Sequence, residues 1–303
     1  MSDLEKRRLR VSGGEIAYLD LGDAEDPAVV LLHGFPTSSH LWRSVAPLFA
    51  PWMRVVVPDL LGCGDSDKPA DAALGLHAQA GYVRELLDGL GIGSCAAVGH
   101  AFGGGIVQVL ATQGRLDAMV LVDSIAFDAW PSEVVREAQA HVGSEAPGLS
   151  EALVRTALEL GMRRPERLAA EDLAEYVRPY AGPEGADACR RSLLALDGVG
   201  LEDIGPELER LEIPALVLWG EEDPLYPPQL AERLGDVLPM AAVALLPGCS
   251  HFLPEDAPET IAPLMFEYLR SRYLGTPHTH AAGPVVVELG RPPSTRTQEK
   301  EDV

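Results

Sequence analysis

Residues 98–104 read Val98-Gly99-His100-Ala101-Phe102-Gly103-Gly104 and follow the Gly-x-Ser-x-Gly pattern of a nucleophile elbow, with alanine in the serine position. The run 94–98 is typical of a short buried strand and residues 106–110 continue as a helix, which is the strand–turn–helix context that the motif requires. The glycines on either side keep Cβ atoms out of a sharp turn whose apex residue is strained. Residue 101 decides how the chain is interpreted, because a methyl group cannot act as a nucleophile.

Three further segments follow apolar runs in a matching order. His33-Gly34-Phe35-Pro36 follows the run 28–32, which places the backbone N–H of Phe35 at a strand end, where an oxyanion donor belongs. Asp223 follows the run 214–220, and His251 follows the run 243–248. A hydroxyl nucleophile needs a base, the base needs a carboxylate that fixes its tautomer, and the developing oxyanion needs fixed N–H donors.

With these motifs the sequence resembles the α/β-hydrolase superfamily from about Arg8 to about Leu274. The resemblance implies that Ala101 stands in the nucleophile position, that His251 is the general base and that Asp223 is the acid that orients it. It also implies that the N–H groups of Phe35 and Phe102 form the oxyanion hole. Asp123, which follows the strand 119–122, is the alternative acid, since some members of the superfamily take their acid from that strand.

The periodicity predicts an α/β fold with a mostly parallel central sheet flanked by helices. The alternating segment Glu15–Leu21 begins the sheet, and continuous apolar runs predict strands buried on both faces. We predict a core of residues 1–127 and 211–275, a helical insertion of residues 128–210, which the resemblance implies is a lid over the site, and a tail of residues 276–303, in which Pro284–Leu289 is strand-like. Within the lid the pattern predicts four helices, Ser132–Val142, Leu149–Met162, Ala170–Tyr180 and Ala186–Leu196.

The predicted pocket lies between the lid and the strand ends. Several motif and lid residues are expected to line it and to contact a substrate: His33, Gly34, His100, Trp130, Tyr176, Tyr180 and Phe252. Because many of the nearby side chains are aromatic, we expect a small, neutral, largely apolar substrate whose oxygen points at the oxyanion donors.

Composition restricts the partners. A formal net charge of −22 argues against nucleic acid or an anionic membrane as a partner. Residues 2–8 lack the apolar core of a secretory signal and no run is long enough to span a bilayer, so we expect a cytoplasmic protein. The four cysteines are widely spaced and are expected to be reduced; we expect no metal and no cofactor, and the tail could dock on the body or on a partner chain in a homodimer.

The identity of the group that Ala101 replaces has two readings. Serine fits an ester or lactone hydrolase, whereas His33-Gly34-Phe35-Pro36 also resembles epoxide hydrolases and haloalkane dehalogenases, which use an aspartate. An epoxide hydrolase needs lid tyrosines, for which Tyr176 or Tyr180 could serve. The dehalogenase version is disfavoured because Phe102 and Phe35 stand where those enzymes usually carry tryptophan and asparagine, and the chain contains no asparagine.

Ala101 itself has three explanations. The first, which we favour, is a hydrolase with a deliberate replacement of its nucleophile that lets substrate bind without turning over. The second is a natural enzyme for non-covalent chemistry, such as cyclisation, elimination or cofactor-free oxygenation, with His251 as general base. The third is a non-catalytic ligand-binding protein. Retention of Asp223 and His251 disfavours the third, because unused groups in a strained site have no selective support.

Overall fold

A computed structural model describes residues 5–142, 149–197, 200–275 and 285–286. The described strands form one nine-stranded sheet in the order β1-β2-β4-β3-β5-β6-β7-β8-β9. β2 is antiparallel to both β1 and β4, and every other pairing is parallel. The bounds are β1 Arg7–Val11, β2 Gly14–Leu21, β3 Ala28–Leu32, β4 Arg54–Pro58, β5 Cys95–His100, β6 Leu116–Val122, β7 Ala215–Gly220, β8 Ala241–Leu246 and β9 Val285–Val286.

Helices connect the strands and cover the sheet. The described α-helices are α1 Ala46–Phe49, α2 Leu76–Gly89, α3 Phe102–Thr112, α4 Glu133–His141, α5 Leu149–Gly161, α6 Ala170–Val177, α7 Gly182–Leu194, α8 Gly205–Leu208, α9 Gln229–Val237, α10 Leu253–Asp256 and α11 Pro258–Leu269. Shorter turns of 3₁₀-helix lie at Ser39–Trp42, Phe127–Ala129, Pro165–Arg167 and Arg178–Tyr180, and a π-helical turn lies at Arg270–Leu274. None of the helices in the described ranges combines the length and the apolar character needed to cross a membrane.

The core lies on both faces of the sheet. β3 shows the division, because Val30 and Leu32 pack into one apolar cluster while Val29 and Leu31 pack into the other. Helices α2, α3 and α9 cover the first face, and α1 and α11 cover the second. The predicted fold class, an α/β-hydrolase fold with a mostly parallel sheet flanked by helices, is confirmed.

The start of the sheet was predicted wrongly. Glu15–Leu21 is not its first strand, because Arg7–Val11 precedes it and pairs with it in an antiparallel hairpin, with Arg7 opposite Tyr18. The segment Arg7-Arg8-Leu9-Arg10 is an edge strand with mostly exposed side chains, and its charges hide the strand pattern. At the other edge, Val285 and Val286 pair with Ala242 and Val243 of β8, while the rest of the predicted strand Pro284–Leu289 lies outside the described residues.

Helices α4–α7 lie between β6 and β7, in the region predicted to be helical; we call residues 128–210 the insertion. The predicted helix Ala170–Tyr180 is divided, since α6 ends at Val177 and Arg178–Tyr180 is a 3₁₀ turn. Pro179 explains the break, because proline has no N–H to continue the helix. The last predicted helix begins earlier than Ala186, at Gly182, and ends at Leu194.

Candidate active site

Ala101 is the apex of a strained turn between β5 and α3. Its backbone dihedrals are φ 49° and ψ −115°, in a region that residues with a side chain rarely occupy. Its N–H donates to Val122 O at 3.1 Å, which ties the apex to the end of β6. A Cβ at Gly99 would lie 2.4 Å from Gly103 O, and one at Gly103 would lie 2.4 Å from Leu32 O. Both flanking glycines are therefore required by close backbone contacts, as the motif predicts.

His251 and Asp223 form a buried pair. Nδ1 of His251 lies 2.9 Å from Oδ2 of Asp223, and both side chains are almost completely buried. The second oxygen, Oδ1, accepts the N–H groups of Leu225 at 2.7 Å and Tyr226 at 3.0 Å, so the carboxylate is held on both sides. This bond fixes the proton of His251 on Nδ1 and leaves Nε2 as a lone-pair acceptor, which is the tautomer of a general base. Within the described residues Nε2 makes no hydrogen bond.

The predicted oxyanion donors are the N–H groups of Phe35 and Phe102, which directly follow Gly34 and Ala101 in the sequence. Neither Phe35 N–H nor Phe102 N–H donates to an acceptor within the described ranges. A Cβ at Gly34 would lie 2.9 Å from the Ala101 Cβ and 3.3 Å from the Phe102 nitrogen. Gly34 therefore leaves open the space that faces the Phe102 N–H, and this is the space that a substrate oxygen needs.

His100 joins the elbow to the loop that carries the histidine of the pair. Its Nε2–H donates to the carbonyl oxygen of His251 at 2.9 Å, and the two rings lie 4.8 Å apart. Burial lowers the pKa of His100 well below its usual value, so the ring is neutral. No hydrogen-bond partner for Nδ1 lies in the described part of the chain. This hydrogen bond thus fixes the position of the His251 backbone relative to Ala101, the residue that follows His100.

Two residues predicted to contact the substrate are fully used elsewhere, and these predictions are corrected. His33 is buried, its Nδ1–H donates to Gly34 O at 2.8 Å and its Nε2 accepts Leu60 N–H at 2.9 Å, so the ring shapes the loop. The hydroxyl of Tyr176 donates to Glu255, and it is buried beside Arg43. Leu60 lies 27 residues from His33 and Glu255 lies 79 residues from Tyr176, and for this reason the motif alone does not reveal these contacts.

The other aromatic side chains are placed around the pair and the elbow. Trp130 lies 6.0 Å from the Phe102 ring and 6.2 Å from Tyr226, and its buried Nε1 has no acceptor among the described residues. Tyr180 packs edge-on against Phe35 at 6.2 Å, and its buried hydroxyl lies against the thiol of Cys63. Phe252 is buried against the rings of His100 and His251, so it supports these residues instead of facing a ligand.

Asp123 is not bonded to His251. Its Oδ1 accepts the N–H of Gly220 at 2.8 Å, and its side chain is completely buried. Burial, followed by the negative charge of Asp223, raises the pKa of Asp123 well above its usual value. A neutral carboxyl at this position does not orient an imidazole as a carboxylate does, and of the two aspartates it is Asp223 that is hydrogen-bonded to His251.

Sequence reasoning missed several residues around the pair. Tyr226 packs 5.6 Å from the His251 ring and its N–H holds Asp223; the Asp-x-x turn after β7 is a local signal that could have revealed it. Asp256 and Gly161 also contact the histidine loop, but no local pattern points to them.

Among the described residues no group of three His, Cys, Asp or Glu side chains could hold a metal ion. All four cysteines are free and buried, and burial raises the pKa of Cys63 to about 11 and of Cys249 to about 12.

Similarity to known proteins is extensive. A family model described as alpha/beta hydrolase fold matches residues 27–258, more than half of the chain. A haloalkane dehalogenase from Bradyrhizobium diazoefficiens is 30% identical over 296 residues, covering 86% of this chain and 92% of that protein. A soluble epoxide hydrolase from Corynebacterium sp. strain C12 is 28% identical over 291 residues, covering 86% of this chain and 95% of that protein.

Solved structures agree with these relatives. The crystal structure of an alpha/beta hydrolase fold protein from Burkholderia ambifaria matches with a TM-score of 0.80 and 30% identity, covering 86% of this chain and 97% of that one. Haloalkane dehalogenase DbeA from Bradyrhizobium elkani matches with a TM-score of 0.75 and 27% identity, covering 90% of this chain and 100% of that one.

Proposed function

Because the chain belongs to the α/β-hydrolase superfamily and its relatives are hydrolases, we propose that its site is that of an ester or lactone hydrolase whose serine nucleophile is replaced by Ala101. In this proposal Asp223 orients His251, His251 is the general base, and the N–H groups of Phe35 and Phe102 bind the substrate oxygen. The protein binds its substrate but hydrolyses it very slowly. The insertion, residues 128–210, is the lid over the site.

The observation that carries the proposal is the 2.9 Å hydrogen bond between His251 and Asp223, beside an elbow that is intact except for its nucleophile. In a serine enzyme the base accepts the serine proton while the oxygen attacks the carbonyl, and the oxyanion that forms is bound by two N–H donors. Ala101 removes only the attacking oxygen. Base, acid and donors remain, so binding is retained while the covalent step is lost.

The surroundings favour a small, neutral, largely apolar substrate. Phe35, Phe102 and Trp130 lie around the elbow, and the net charge of −22 does not attract anions. The buried Trp130 Nε1–H, whose ring packs against Phe102, lacks an acceptor within the described chain, and it suits a second oxygen of the substrate.

Replacing Ala101 by serine tests the proposal. Loss of a serine nucleophile costs on the order of 10⁶ in kcat, so Ala101→Ser should raise the hydrolysis of small aryl esters and lactones by several orders of magnitude. The double variant Ala101→Ser/His251→Ala is the matched control, because it has the oxygen without the base. Silence of Ala101→Ser across both substrate panels, in a folded protein, would contradict the proposal.

An epoxide hydrolase with a lost aspartate nucleophile is the second candidate, and the relative named soluble epoxide hydrolase favours it. Of the two lid tyrosines, Tyr176 is held by Glu255, whereas the hydroxyl of Tyr180 lies against the weakly hydrogen-bonding thiol of Cys63, so Tyr180 would polarise the epoxide oxygen. Ala101→Asp should then open epoxides while Ala101→Ser stays silent on esters. The haloalkane version is disfavoured because Phe35 and Phe102 offer no side-chain donor to a halide.

The unaltered chain provides a separate test. If it turns over esters or other small carbonyl compounds, and His251→Ala abolishes that turnover, the site performs non-covalent chemistry with His251 as base, and Ala101 is a natural residue of an active enzyme. That result would overturn the proposal of an impaired hydrolase. Binding of such compounds without turnover, followed by activity in Ala101→Ser, supports it.

A further inference from the structure

One end of helix α5 contacts the loops that carry both members of the His251–Asp223 pair. The contact segment is Gly161–Arg163, at the point where α5 ends within the insertion. It binds Phe252, which follows His251, and Glu222, which precedes Asp223. It also binds Asp256, whose carboxylate in turn accepts the N–H of Ser250, the residue before His251. The insertion is therefore attached to the acid and base loops themselves.

On the histidine side the contact is a main-chain hydrogen bond with close packing. Phe252 N–H donates to Gly161 O at 3.0 Å. A Cβ at Gly161 would lie 2.6 Å from the Phe252 ring and 3.4 Å from the His251 Cβ. Gly161 thus allows α5 to end directly against the histidine loop, and a larger residue would push the loop away.

Asp256 connects the same two segments through its carboxylate. Its oxygens accept the N–H of Arg163, at 2.9 and 3.0 Å, and Oδ2 also accepts the N–H of Ser250 at 2.9 Å. Ser250 immediately precedes His251, and Arg163 belongs to the insertion. One charged side chain therefore holds the histidine loop and the insertion together, and hydrogen bonds to an ionised acceptor are among the stronger ones.

The acid loop is tied to this arrangement as well. Glu222, which precedes Asp223, donates its N–H to Cys249 O at 3.0 Å and accepts the hydroxyl of Ser250 at its carbonyl oxygen at 3.2 Å. Its carboxylate pairs with Nε of Arg163 at 2.7 Å, but both side chains are about half exposed, so this ion pair adds little. The main-chain bonds and Asp256 carry the connection.

We propose that Asp256, together with Gly161, is a positioning residue that sets the geometry of the His251–Asp223 hydrogen bond through the insertion. The inference rests on the proposed role of His251 as base. It predicts that the site is complete only when the end of α5 is docked on the histidine loop. In this role both residues act through His251 and not on the substrate itself.

Glu255 provides a matched control, because it also joins the insertion to the core but does so elsewhere. Its carboxylate binds Arg43 at 2.5 and 2.8 Å and the hydroxyl of Tyr176 in α6, and Arg43 also binds Asp172 at 3.0 Å. None of these partners flanks His251 or Asp223. Gly81 in α2, where a Cβ would meet nothing within 4 Å, is the control for a glycine replacement.

Proton NMR of the unaltered chain and of five variants, without substrate, tests the inference. The proton between His251 Nδ1 and Asp223 Oδ2 should resonate far downfield of the amide protons and is assigned by its loss in Asp223→Ala. We expect Asp256→Asn and Gly161→Ala to shift this signal upfield or broaden it beyond detection, because the bond lengthens when the loop moves. Glu255→Gln and Gly81→Ala should leave it in place.

Thermal unfolding of each variant separates positioning from general destabilisation. An unchanged signal in folded Asp256→Asn overturns the inference, and so does an equal shift in Glu255→Gln. If Asp256→Asn does not fold, an unchanged signal in folded Gly161→Ala overturns the inference instead. Absence of the downfield signal from the unaltered chain also counts against the inference. The readout needs no turnover, so inactivity of Ala101→Ser on esters would refute the proposed function without touching this result.

Discussion

Nδ1 of His251 lies 2.9 Å from Oδ2 of Asp223, and Oδ1 of the same carboxylate is held by the N–H groups of Leu225 and Tyr226. Both oxygens of Asp223 are thus fixed before any substrate binds. The carboxylate can hold His251 in one tautomer and stabilise its charged form when it accepts a proton.

Asp223→Asn should therefore abolish most of the activity that Ala101→Ser confers. An amide NH₂ directed at His251 would favour the tautomer with the proton on Nε2, which cannot act as a base toward residue 101. In a serine-type site the expected loss in kcat is on the order of 10⁴, with little change in KM. Ester hydrolysis by Ala101→Ser with and without Asp223→Asn measures it. A loss below tenfold would show that another group orients the histidine.

Asp123→Asn in the same background is the control for this prediction. Asp123 donates nothing to His251 and binds Gly220 N–H instead, so its replacement should leave kcat within severalfold. If instead Asp123→Asn causes the large loss of kcat and Asp223→Asn the small one, the acid that orients His251 is Asp123, which follows β6.

Much of the site could be predicted from the sequence because each part follows a strand. The elbow, Phe35, Asp223 and His251 all come directly after apolar runs, and the C-terminal ends of parallel strands lie at one edge of a sheet. Local sequence also predicts the strain at Ala101, since glycines flank it on both sides.

The rest could not be predicted, because it depends on partners that are distant in sequence. Tyr176 was expected at the substrate, but Glu255, 79 residues later, binds its hydroxyl. His33 was assigned to the pocket, but Leu60 and Gly34 occupy both ring nitrogens. Which of several buried polar groups is left without a partner is decided by tertiary packing, and no periodicity reveals it.

Ala101→Gly should stabilise the protein. Ala101 has φ 49° and ψ −115°, a conformation that costs a residue with a side chain roughly 1–3 kcal/mol and costs glycine almost nothing. The greater entropy of glycine in the unfolded chain offsets up to about 1 kcal/mol of this gain. We expect the free energy of unfolding to rise by about 1 kcal/mol in urea titrations.

Ala111→Gly is the matched control for the elbow, because Ala111 lies in helix α3. There the same replacement should lower the free energy of unfolding by about 1 kcal/mol. If Ala101→Gly destabilises the protein as much as Ala111→Gly, the apex residue is not strained.

The free energy of unfolding of Asp123→Asn, relative to that of the parent, should increase as pH rises. Burial and the charge of Asp223 raise the pKa of Asp123 well above its unfolded value, so the folded chain keeps a proton that the unfolded chain loses above about pH 4. The free energy of unfolding then falls with pH by up to about 1.4 kcal/mol per pH unit from this group, until the folded pKa is reached. Asparagine has no such proton. The stability difference between variant and parent should therefore grow between pH 4.5 and pH 7 in urea titrations, and a constant difference would contradict the assignment of a neutral Asp123.

Trp130→Phe should separate a substrate contact from a packing role. Trp130 Nε1 is buried without an acceptor among the described residues, beside Phe102, so phenylalanine removes an unsatisfied donor and keeps a ring in place. An unsatisfied buried donor costs about 1–3 kcal/mol, which offsets the loss of ring volume, so the ligand-free stability should change by less than about 1 kcal/mol. If the N–H binds the substrate, Trp130→Phe should lower the affinity for a small aryl ester about threefold to tenfold in calorimetric titrations, which is the worth of one hydrogen bond.

Trp42→Phe is the control, because Trp42 Nε1 is also buried without a partner in the described chain but packs in the cluster on the other face of the sheet. Equal affinities of Trp130→Phe and Trp42→Phe would place the indole of Trp130 in the core and leave the substrate to the backbone donors alone.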